Sequence, residues 1–285
     1  MNTTETIAGL RFCLSTAGKV RQGFVPTMGA LHHGHIALVE RAVNECGRVT
    51  VSIFVNPTQF NDKRDLDRYP RTVDRDKEML SRVLRENDVV FLPSVMEIYP
   101  GEDKRVFDFG NLGRVMEGEY RPGHFNGVAQ VVSRLFDIVK PDVAYFGEKD
   151  FQQLAVIKAL AEKTGQRVEI VGCPTVRESD GLAMSSRNAL LTPEHRAAAP
   201  VIYHAMLGSQ NLFLEKGKEA AREFFTGKIG EVDGFRVQYY EITDDTDLVP
   251  ADYASDMIKG RNYHICVAVY AGGVRLIDNV RISLE

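Results

Sequence analysis

Three histidines and two glycines lie within one ten-residue string, PTMGALHHGH, at positions 26–35. His32 and His35 are three residues apart, so at the start of a helix they share one face. Imidazoles placed there can donate hydrogen bonds to phosphoryl oxygens as negative charge builds in a transition state. Gly29 and Gly34 lack a Cβ atom and would let a ligand lie against the backbone. The string therefore predicts a phosphate-binding turn, with a tight turn capped by histidines as the alternative.

A zinc site is a weaker interpretation of these histidines. The string lacks the glutamate of a metalloprotease helix, and no cysteine or aspartate partner stands at ligand spacing nearby. The acidic string DDTD at 244–247 is better explained as a turn than as a metal site. The sequence therefore predicts no metal-binding residues.

Polar side chains also follow two other apolar runs, at places where ligands meet the carboxyl ends of parallel strands. Asn56 and Gln59 follow RVTVSIFV, and GEKD at 147–150 follows DVAYF. Gln59 can donate and accept hydrogen bonds, which suits a substrate with a carboxylate and hydroxyls. Lys149 can place a positive charge on phosphate, and Asp150 can accept from ribose hydroxyls. The plainer alternatives are an amide that caps a turn and an acidic cap on the next helix.

Alternating strands and helices would position these side chains in about the first 175 residues. The apolar runs GFVPT, RVTVSIFVN, VVFLP, DVAYFGEKD and RVEIVGCP predict strands. Helical spacing occurs in HIALVERAVNECG, TVDRDKEMLSRVLRENDV, GVAQVVSRLFDIVKP and FQQLAVIKALAEKTG, and Thr72 is placed to cap the second of them. Repeated alternation implies right-handed crossovers, so we expect an α/β fold with a doubly wound, Rossmann-like parallel sheet over residues 1–175.

The pattern changes after about residue 176. TPEHRAAAPVIYHAMLGSQNLFLEKG and KEAAREFFTGKIG are helical, with Pro193 at a first helical position and Pro200 expected to break the first helix. FRVQYYEITD and YHICVAVYAGGVRLIDNVRI predict strands, the latter folded as a hairpin at 271–273. Residues 176–285 are therefore predicted to form a smaller α+β domain.

Composition narrows the functional classes. The 285 residues are 44% hydrophobic and 26% charged with a net charge of -4, which argues against a nucleic-acid or membrane-surface partner. The four cysteines are far apart, as is typical of a reducing compartment. The first residues lack a signal-peptide pattern, and no stretch approaches the apolar length of a membrane span. A cytoplasmic location is expected.

Within PTMGALHHGH, the HHGH part resembles the H-x-G-H signature of the nucleotidyltransferase superfamily, which includes the class I tRNA synthetases. The whole string is similar to that of the pantothenate synthetase (pantoate–β-alanine ligase) family. The similarity continues, in order, through VSIFVNPTQFN, YPRTVDRD, RPGHFNGV, FGEKDFQQL, PTVRESDGLAMSSRN and RLIDN. These motifs cover most of residues 24–191, and their number and order make the resemblance specific.

The resemblance implies an ATP-dependent carbon–nitrogen ligase. Such an enzyme condenses D-pantoate with β-alanine to pantothenate through a pantoyl adenylate and releases AMP and pyrophosphate. The implied cofactors are ATP and Mg²⁺, with the metal bridging phosphate oxygens and taking few protein ligands. The resemblance also implies a homodimer.

Carried over to this sequence, the resemblance makes His35 the proton-donating residue, supported by His32 and Lys149. Gln59 and Gln153 become the amides that bind pantoate, with Asn56 beside them at the strand end. MSSR at 184–187 resembles the mobile lysine–serine loop of the synthetases, with a solvated linker as the alternative, and residues 176–285 would act as a lid. The ATP-binding set is Met28, Gly29, Ala30, Leu31, His32, His33, Gly34, His35, Gly147, Glu148, Lys149, Asp150, Val176, Met184, Ser185, Ser186 and Arg187.

Several positions and two other functions stay open. His33 is expected to face solvent, Gln152 to be a solvent or packing residue, and His124 of RPGH has no derivable role. A nucleotidyltransferase of the same fold could stop at adenylylation of a phosphate ester, although the paired amides favour a hydroxy acid. A nonenzymatic nucleotide- or RNA-binding module is the other alternative, against which the acidic net charge counts.

Overall fold

The computed structural model of the chain describes residues 1–15, 18, 20–61 and 63–282. The chain divides into two compact units. The first comprises Met1–Glu148 and Val156–Pro174, and the second comprises Lys149–Ala155 and Thr175–Glu285. The short stretch Lys149–Ala155 thus groups with the C-terminal part, whereas the sequence pattern placed it in the first domain.

The first unit has, within the described residues, a six-stranded parallel sheet with the order β1-β4-β3-β2-β5-β6. Its strands are β1 (Asn2–Thr4), β2 (Gln22–Thr27), β3 (Arg48–Ile53), β4 (Val89–Phe91), β5 (Val143–Gly147) and β6 (Glu169–Cys173). The doubly wound parallel sheet is confirmed, and every residue of β3 is buried, as its apolar run predicts. β1 was not predicted, because its three residues are polar and too few to show a periodic pattern.

The order of the strands reverses between β2 and β5. β2 pairs with β3 on one side and with β5 on the other, so the chain first runs outward through β3 and β4 and then restarts at β5. Ligands of open α/β sheets bind at such a switch point, outside the carboxyl ends of the strands. The residues that follow Thr27 and Gly147 lie at that position.

Helices join these strands. They are α1 (Ile7–Ser15), α2 (His33–Glu45), α3 (Lys63–Arg68), α4 (Val73–Ser81), α5 (Val95–Ile98), α6 (Glu117–Tyr120), α7 (His124–Val139) and α8 (Phe151–Thr164), with 3₁₀ turns at Pro57–Gln59 and Gly110–Gly113. α4 is shorter than its pattern predicts: after Ser81 the backbone N–H groups of Arg82 and Val83 bond to carbonyls three residues back, and the Asp88 carboxylate accepts the N–H of Arg85 in the turn that follows. α7 begins earlier than predicted, directly after Gly123, whose φ of 82° is left-handed.

Apolar packing fixes this sheet on both faces. Val25, Val39, Val51 and Leu80 belong to one buried cluster that joins β2 and β3 to α2 and α4. On β2, Phe24 also meets Phe136 of α7, with ring centroids 6.3 Å apart. Because a one-residue slip would turn these side chains to the opposite face, burial fixes the register of the strands and the loops that follow them.

The second unit has, in its described part, a three-stranded antiparallel sheet with the order β7-β8-β9. Its strands are β7 (Phe235–Asp244), β8 (Tyr263–Ala271) and β9 (Val274–Arg281), and its helices are α9 (Pro193–Ala198), α10 (Val201–Lys216) and α11 (Lys218–Gly230). Further 3₁₀ turns lie at Ser186–Leu190 and Ala254–Asp256. The hairpin between β8 and β9 is confirmed, as are Pro193 at the first position of α9 and Pro200 between α9 and α10.

None of the helices in the described ranges combines the length and apolar character that a membrane crossing requires.

Candidate active site

The turn from β2 into α2 has an unusual backbone. Gly29 has a φ of 80° and Ala30 a φ of 50°, so two successive residues are left-handed. A Cβ atom on Gly29 would lie 3.0 Å from Cγ2 of Ile53 and 3.1 Å from Oδ2 of Asp76. Position 29 therefore requires glycine for both its conformation and its space.

Backbone N–H groups of this turn already have acceptors within the protein. Ala30 and Leu31 donate to Oδ2 and Oδ1 of Asp76 at 3.0 and 2.8 Å, and Gly29 donates to the Thr27 hydroxyl at 3.2 Å. These three N–H groups are thus occupied by Asp76 and Thr27 within the protein.

The two key histidines cap α2 reciprocally. His32 is the N-cap residue, and its Nδ1 accepts from the backbone N–H of Gly34 at 3.2 Å. The backbone N–H of His32 in turn donates to Nδ1 of His35 at 3.3 Å. This is a capping box in which imidazoles take the places of the usual hydroxyl and carboxylate. The ring centroids are 4.0 Å apart, both rings are half-buried, and His33 is exposed as predicted.

These caps assign the tautomer of each ring. Because Nδ1 accepts in both His32 and His35, the neutral ring carries its proton on Nε2. Nε2–H is then the donor that each ring can offer to a phosphoryl oxygen. The capping alternative and the phosphate-donor interpretation are compatible, since the cap fixes the orientation of the donor.

Asn56 is buried and its amide is used by protein partners. The side chain is 1% exposed, and Nδ2 donates to Oε1 of Gln59 and to the carbonyl of Gly127, both at 3.1 Å. Oδ1 accepts from the hydroxyls of Thr58 and Tyr99, also at 3.1 Å. Asn56 therefore positions Gln59, and in this arrangement it would influence a substrate through that residue rather than by the direct contact that the sequence predicts.

Gln59 connects two sets of predicted binding residues. With its Oε1 held by Asn56, its Nε2 points to Met28 and donates to the thioether sulfur at 3.0 Å. Met28 is predicted to contact ATP and Gln59 to bind pantoate, and the structure brings the two side chains together. At the end of β5, Gly147 and Glu148 are half-buried, and the backbone N–H of Glu148 donates to the carbonyl of Cys173.

In the second unit, Lys149 and Asp150 precede α8, and Gln153 lies in its first turn. All three side chains are half-buried, whereas Gln152 is buried and packs inside the protein. The side chain of Asn279 on β9 donates to the carbonyl of Lys149 at 3.1 Å and so fixes the backbone of the predicted catalytic lysine.

The segment that carries Val176 and Met184 folds back on itself. The backbone N–H of Met184 donates to the carbonyl of Val176 at 3.0 Å, which places the two predicted adenine contacts side by side. Arg177, between them, makes two hydrogen bonds to the Asp278 carboxylate on β9, at 2.6 and 3.0 Å. Burial raises the pKa of the Asp278 carboxyl even with this arginine beside it.

The predicted phosphate loop continues directly from Met184 into a folded 3₁₀ turn. Ser185 caps it by accepting the backbone N–H of Arg187 at 3.3 Å, and Asn188 donates its amide to the carbonyl of Ala183 at 3.0 Å. Ser185, Ser186 and Arg187 are half-buried. This local order differs from that of the solvated linker that was the alternative.

No group of three or more histidine, cysteine, aspartate or glutamate side chains within residues 1–15, 18, 20–61 and 63–282 is placed to hold a metal ion. The DDTD string is a turn, as predicted. The Asp244 carboxylate accepts the backbone N–H groups of Thr246, Asp247 and Val249 at 2.8 to 3.0 Å.

Comparisons with known proteins identify the family. The family model described as pantoate-beta-alanine ligase matches residues 2–281. The chain belongs to the pantoate–β-alanine ligase family. Within it, the chain is 49% identical over 283 residues to a pantothenate synthetase of Porphyromonas gingivalis and 51% identical over 286 residues to one of Phocaeicola vulgatus. Both alignments cover 99% of this chain and of the relative.

Solved structures of ligase-family members share the whole fold. A pantothenate synthetase from Thermus thermophilus superposes with a TM-score of 0.90 at 44% identity and with complete coverage of both chains. A pantoate–β-alanine ligase from Francisella tularensis, complexed with beta-gamma ATP and beta-alanine, has a TM-score of 0.83 at 36% identity. The match covers 100% of this chain and 99% of the Francisella chain.

One contact to a predicted site residue was not predicted from the sequence. Nδ1 of His124 lies 2.9 Å from the carbonyl oxygen of Gln59, so this nitrogen carries the proton and donates. Its Nε2 then accepts from Nη1 of Arg121 at 3.0 Å, and Arg121 also pairs with Glu117 at 3.4 Å. The buried imidazole of His124 thus holds the backbone of Gln59. The RPGH motif was the available signal, but its partner lies 65 residues away and no spacing rule connects them.

Proposed function

We propose that this chain condenses D-pantoate with β-alanine at the cost of ATP, through a pantoyl adenylate, and releases AMP and pyrophosphate. The observation that carries the proposal is the imidazole pair at the start of α2. His32 and His35 present Nε2–H donors at the switch point of the sheet, in a chain that belongs to the pantoate–β-alanine ligase family.

In the first step, a carboxylate oxygen of pantoate attacks the α-phosphorus of ATP. The bond from that phosphorus to the bridging oxygen of the β-phosphate breaks, and pyrophosphate leaves. The protein's task is to position the reactants and to stabilise the developing charge, so no protein nucleophile is required. His35 donates to the α-phosphoryl group with His32 in support, and Lys149, Ser185, Ser186 and Arg187 act on the outer phosphates.

In the second step, the amine of β-alanine attacks the activated carbonyl carbon. The carbon–oxygen bond to the phosphate of AMP breaks, the nitrogen loses a proton, and pantothenate and AMP form. The adenylate must be shielded from water between the steps. The action of residues 176–285 as a lid that supplies this shielding remains a prediction.

Pantoate recognition is assigned to Gln59 and Gln153. The support for Gln59 is its position, since Asn56 holds the Oε1 of its amide and His124 holds its backbone. An amide fixed in this way can serve the carboxylate and hydroxyls of a small hydroxy acid at a low cost in conformational entropy. Met28, Val176 and Met184 are assigned to the adenine, and Asp150 is assigned to the ribose.

Magnesium enters this proposal as part of the substrate Mg-ATP. Phosphate oxygens and water would supply most of its coordination, as is usual for Mg²⁺ bound with a nucleotide. The ion supplies charge neutralisation on the triphosphate. We also propose that the protein is cytoplasmic and forms a homodimer. Light scattering on the protein as it elutes from a sizing column would test the dimer, which should have twice the mass of 31.9 kDa.

The deciding experiment follows labelled pyrophosphate and AMP with Mg-ATP and D-pantoate, with and without β-alanine. We expect exchange of pyrophosphate into ATP that depends on pantoate alone, and release of AMP when the amine is added. His35→Ala should lose the exchange more strongly than His32→Ala, and the opposite order would reverse their assignment. A stable dinucleotide product would favour the nucleotidyltransferase alternative, and binding of ATP without turnover would favour a nonenzymatic module.

A further inference from the structure

The turn at 29–31 has the backbone shape of an anion-binding site, and a carboxylate of the chain itself fills it. Successive residues with positive φ turn the N–H groups of Ala30 and Leu31 toward one acceptor. Concavities lined by successive N–H groups bind phosphates and other anions. Here the anion is the side chain of Asp76, which lies on α4, 46 residues from Ala30, and is fully buried.

Asp76 is itself held by α4. The hydroxyl of Thr72 donates to Oδ1 of Asp76 at 3.0 Å, although Thr72 is the N-cap residue and its side chain makes no cap bond. The backbone N–H of Asp76 donates to the carbonyl of Thr72 at 2.9 Å. The carboxylate thus accepts from two backbone N–H groups and one hydroxyl, and hydrogen bonds to an ionised acceptor are stronger than neutral ones. The motif YPRTVDRD supplies both residues.

Leu31 directly precedes the N-cap of α2. Its N–H is fixed by Asp76, and the next N–H, that of His32, donates to Nδ1 of His35. The carboxylate therefore sets the path of the chain immediately before the imidazole pair. Left-handed backbone at a residue such as Ala30 is costly and persists only where the surroundings hold it.

We infer that Asp76 is a positioning residue for the Mg-ATP site. It holds the turn at 29–31 so that His32 and His35 aim their Nε2–H groups at the phosphates. The inference rests on the proposed function in that the ligand is Mg-ATP. A carboxylate is required because its two oxygens accept both N–H groups, whereas an asparagine would turn an NH₂ group toward one of them.

The test compares Asp76→Asn with a matched variant, Asp88→Asn. Asp88 is also fully buried and accepts the backbone N–H groups of Val49 and Arg85, both at 2.8 Å. Asp88 lies where β3 and β4 begin, whereas the predicted Mg-ATP site lies at the carboxyl ends of the strands. Calorimetric titration with Mg-ATP alone, without pantoate or β-alanine, measures the binding of each protein, and thermal unfolding measures its stability.

We expect Asp76→Asn to bind Mg-ATP about tenfold more weakly, which is the scale of one lost charge-assisted hydrogen bond. Asp88→Asn should unfold at a lower temperature and keep its ATP affinity within about twofold, since the hydrogen bonds that it loses lie outside the site. In steady state, the KM for ATP of Asp76→Asn should rise while the KM for pantoate stays. Equal ATP affinity in Asp76→Asn and the wild type, or equal weakening in both variants, would overturn the inference.

Thr72→Val keeps the inference testable should Asp76→Asn fail to fold. This near-isosteric change removes only the hydroxyl that supports the carboxylate, and we expect about threefold weaker Mg-ATP binding. Faster exchange of the Ala30 and Leu31 amide protons should accompany it, and unchanged affinity and exchange would contradict the inference. A wild-type protein that binds Mg-ATP but makes no pantothenate would refute the proposed function alone, and one that does not bind Mg-ATP would refute both.

Discussion

His32 and His35 each use one ring nitrogen for the backbone of α2, and that bond determines what the other nitrogen can offer a ligand. A neutral imidazole with an accepting Nδ1 is a donor at Nε2. Removal of one donor to a developing oxyanion slows other enzymes by about 10² to 10³. A cap lost from a helix costs only about 1 kcal/mol. Substitution of either histidine should therefore affect activity far more than stability.

Gly29→Ala tests the left-handed turn at the level of one atom. The added methyl group would be strained by the φ of 80° and would press on Ile53 and Asp76. We expect a loss of about 2 kcal/mol in the free energy of unfolding, together with a raised KM for ATP. Denaturant unfolding and steady-state kinetics measure the two effects.

Gly165→Ala is the matched control for that variant. Gly165 has a φ of 67°, but an added Cβ there meets nothing within 4 Å. It should lose about 1 kcal/mol from strain alone and keep the KM for ATP. Equal effects of the two substitutions on that KM would show that the turn does not position ATP.

At the level of elements, α7 and the 3₁₀ turn Pro57–Gln59 form one support for the substrate amide. Gly127 of α7 brings the helix so close that an added Cβ would lie 2.4 Å from the carbonyl oxygen of Thr58 and 2.9 Å from Cα of Gln59. Asn56 and His124 then bond across the same contact. The position of Gln59 is therefore set by the packing of two elements rather than by the loop itself.

Gly127→Ala should separate these two elements. Its methyl group meets backbone atoms, which cannot rotate away as a side chain can, and overpacking of this kind costs about 1–3 kcal/mol. We expect the KM for pantoate to rise about fivefold or more as Gln59 moves, since each 1.4 kcal/mol changes an affinity tenfold. The KM for ATP should change less.

Gly227→Ala in α11 is the control for a glycine inside a helix. It is exposed, and an added Cβ meets nothing within 4 Å, so stability should rise by about 0.5–1 kcal/mol without a kinetic effect. An unchanged KM for pantoate in Gly127→Ala would show that this packing does not position the amide.

The same elements show what the sequence could and could not reveal. Periodicity predicted β2, β3 and β5 and the helices α2, α4 and α7 between them, because burial on a regular element repeats at a fixed spacing. It could not indicate that Asp76 reaches the turn at Ala30, since that contact depends on tertiary packing. The resemblance marked YPRTVDRD and RPGHFNGV as motifs, but only the structure shows that Asp76 and His124 bind backbone groups.

At the scale of the whole molecule, each of the two units contains hydrogen bonds of its own that fix its predicted site residues. In the second unit, Arg177 and Asp278 join the segment after β6 to β9, and the neighbouring Asn279 reaches the carbonyl of Lys149. The Oδ1 atom of Asn279 lies 3.2 Å from Nδ1 of His264. An amide oxygen only accepts, so His264 donates and thereby fixes the orientation of the amide that holds Lys149. The alternation of elements predicted the two-part α/β and α+β architecture, but it could not reveal this connection between RLIDN and GEKD.

His264 should make the stability of the protein depend on pH. Burial lowers the pKa of its imidazole; the hydrogen bond to Asn279 and the charge of Asp245 raise that pKa by smaller amounts, and the charge of Arg281 lowers it slightly. Below about pH 6.5 the unfolded chain therefore binds a proton that the folded chain resists, and stability falls as the pH falls.

Between about pH 7.5 and 5.5, the wild-type unfolding temperature should drop more than that of His264→Gln, whose amide can still donate to Asn279 but does not titrate. His204→Gln, at an exposed histidine, should keep the wild-type dependence. If His264→Gln kept the full wild-type drop, the buried imidazole would not be its source.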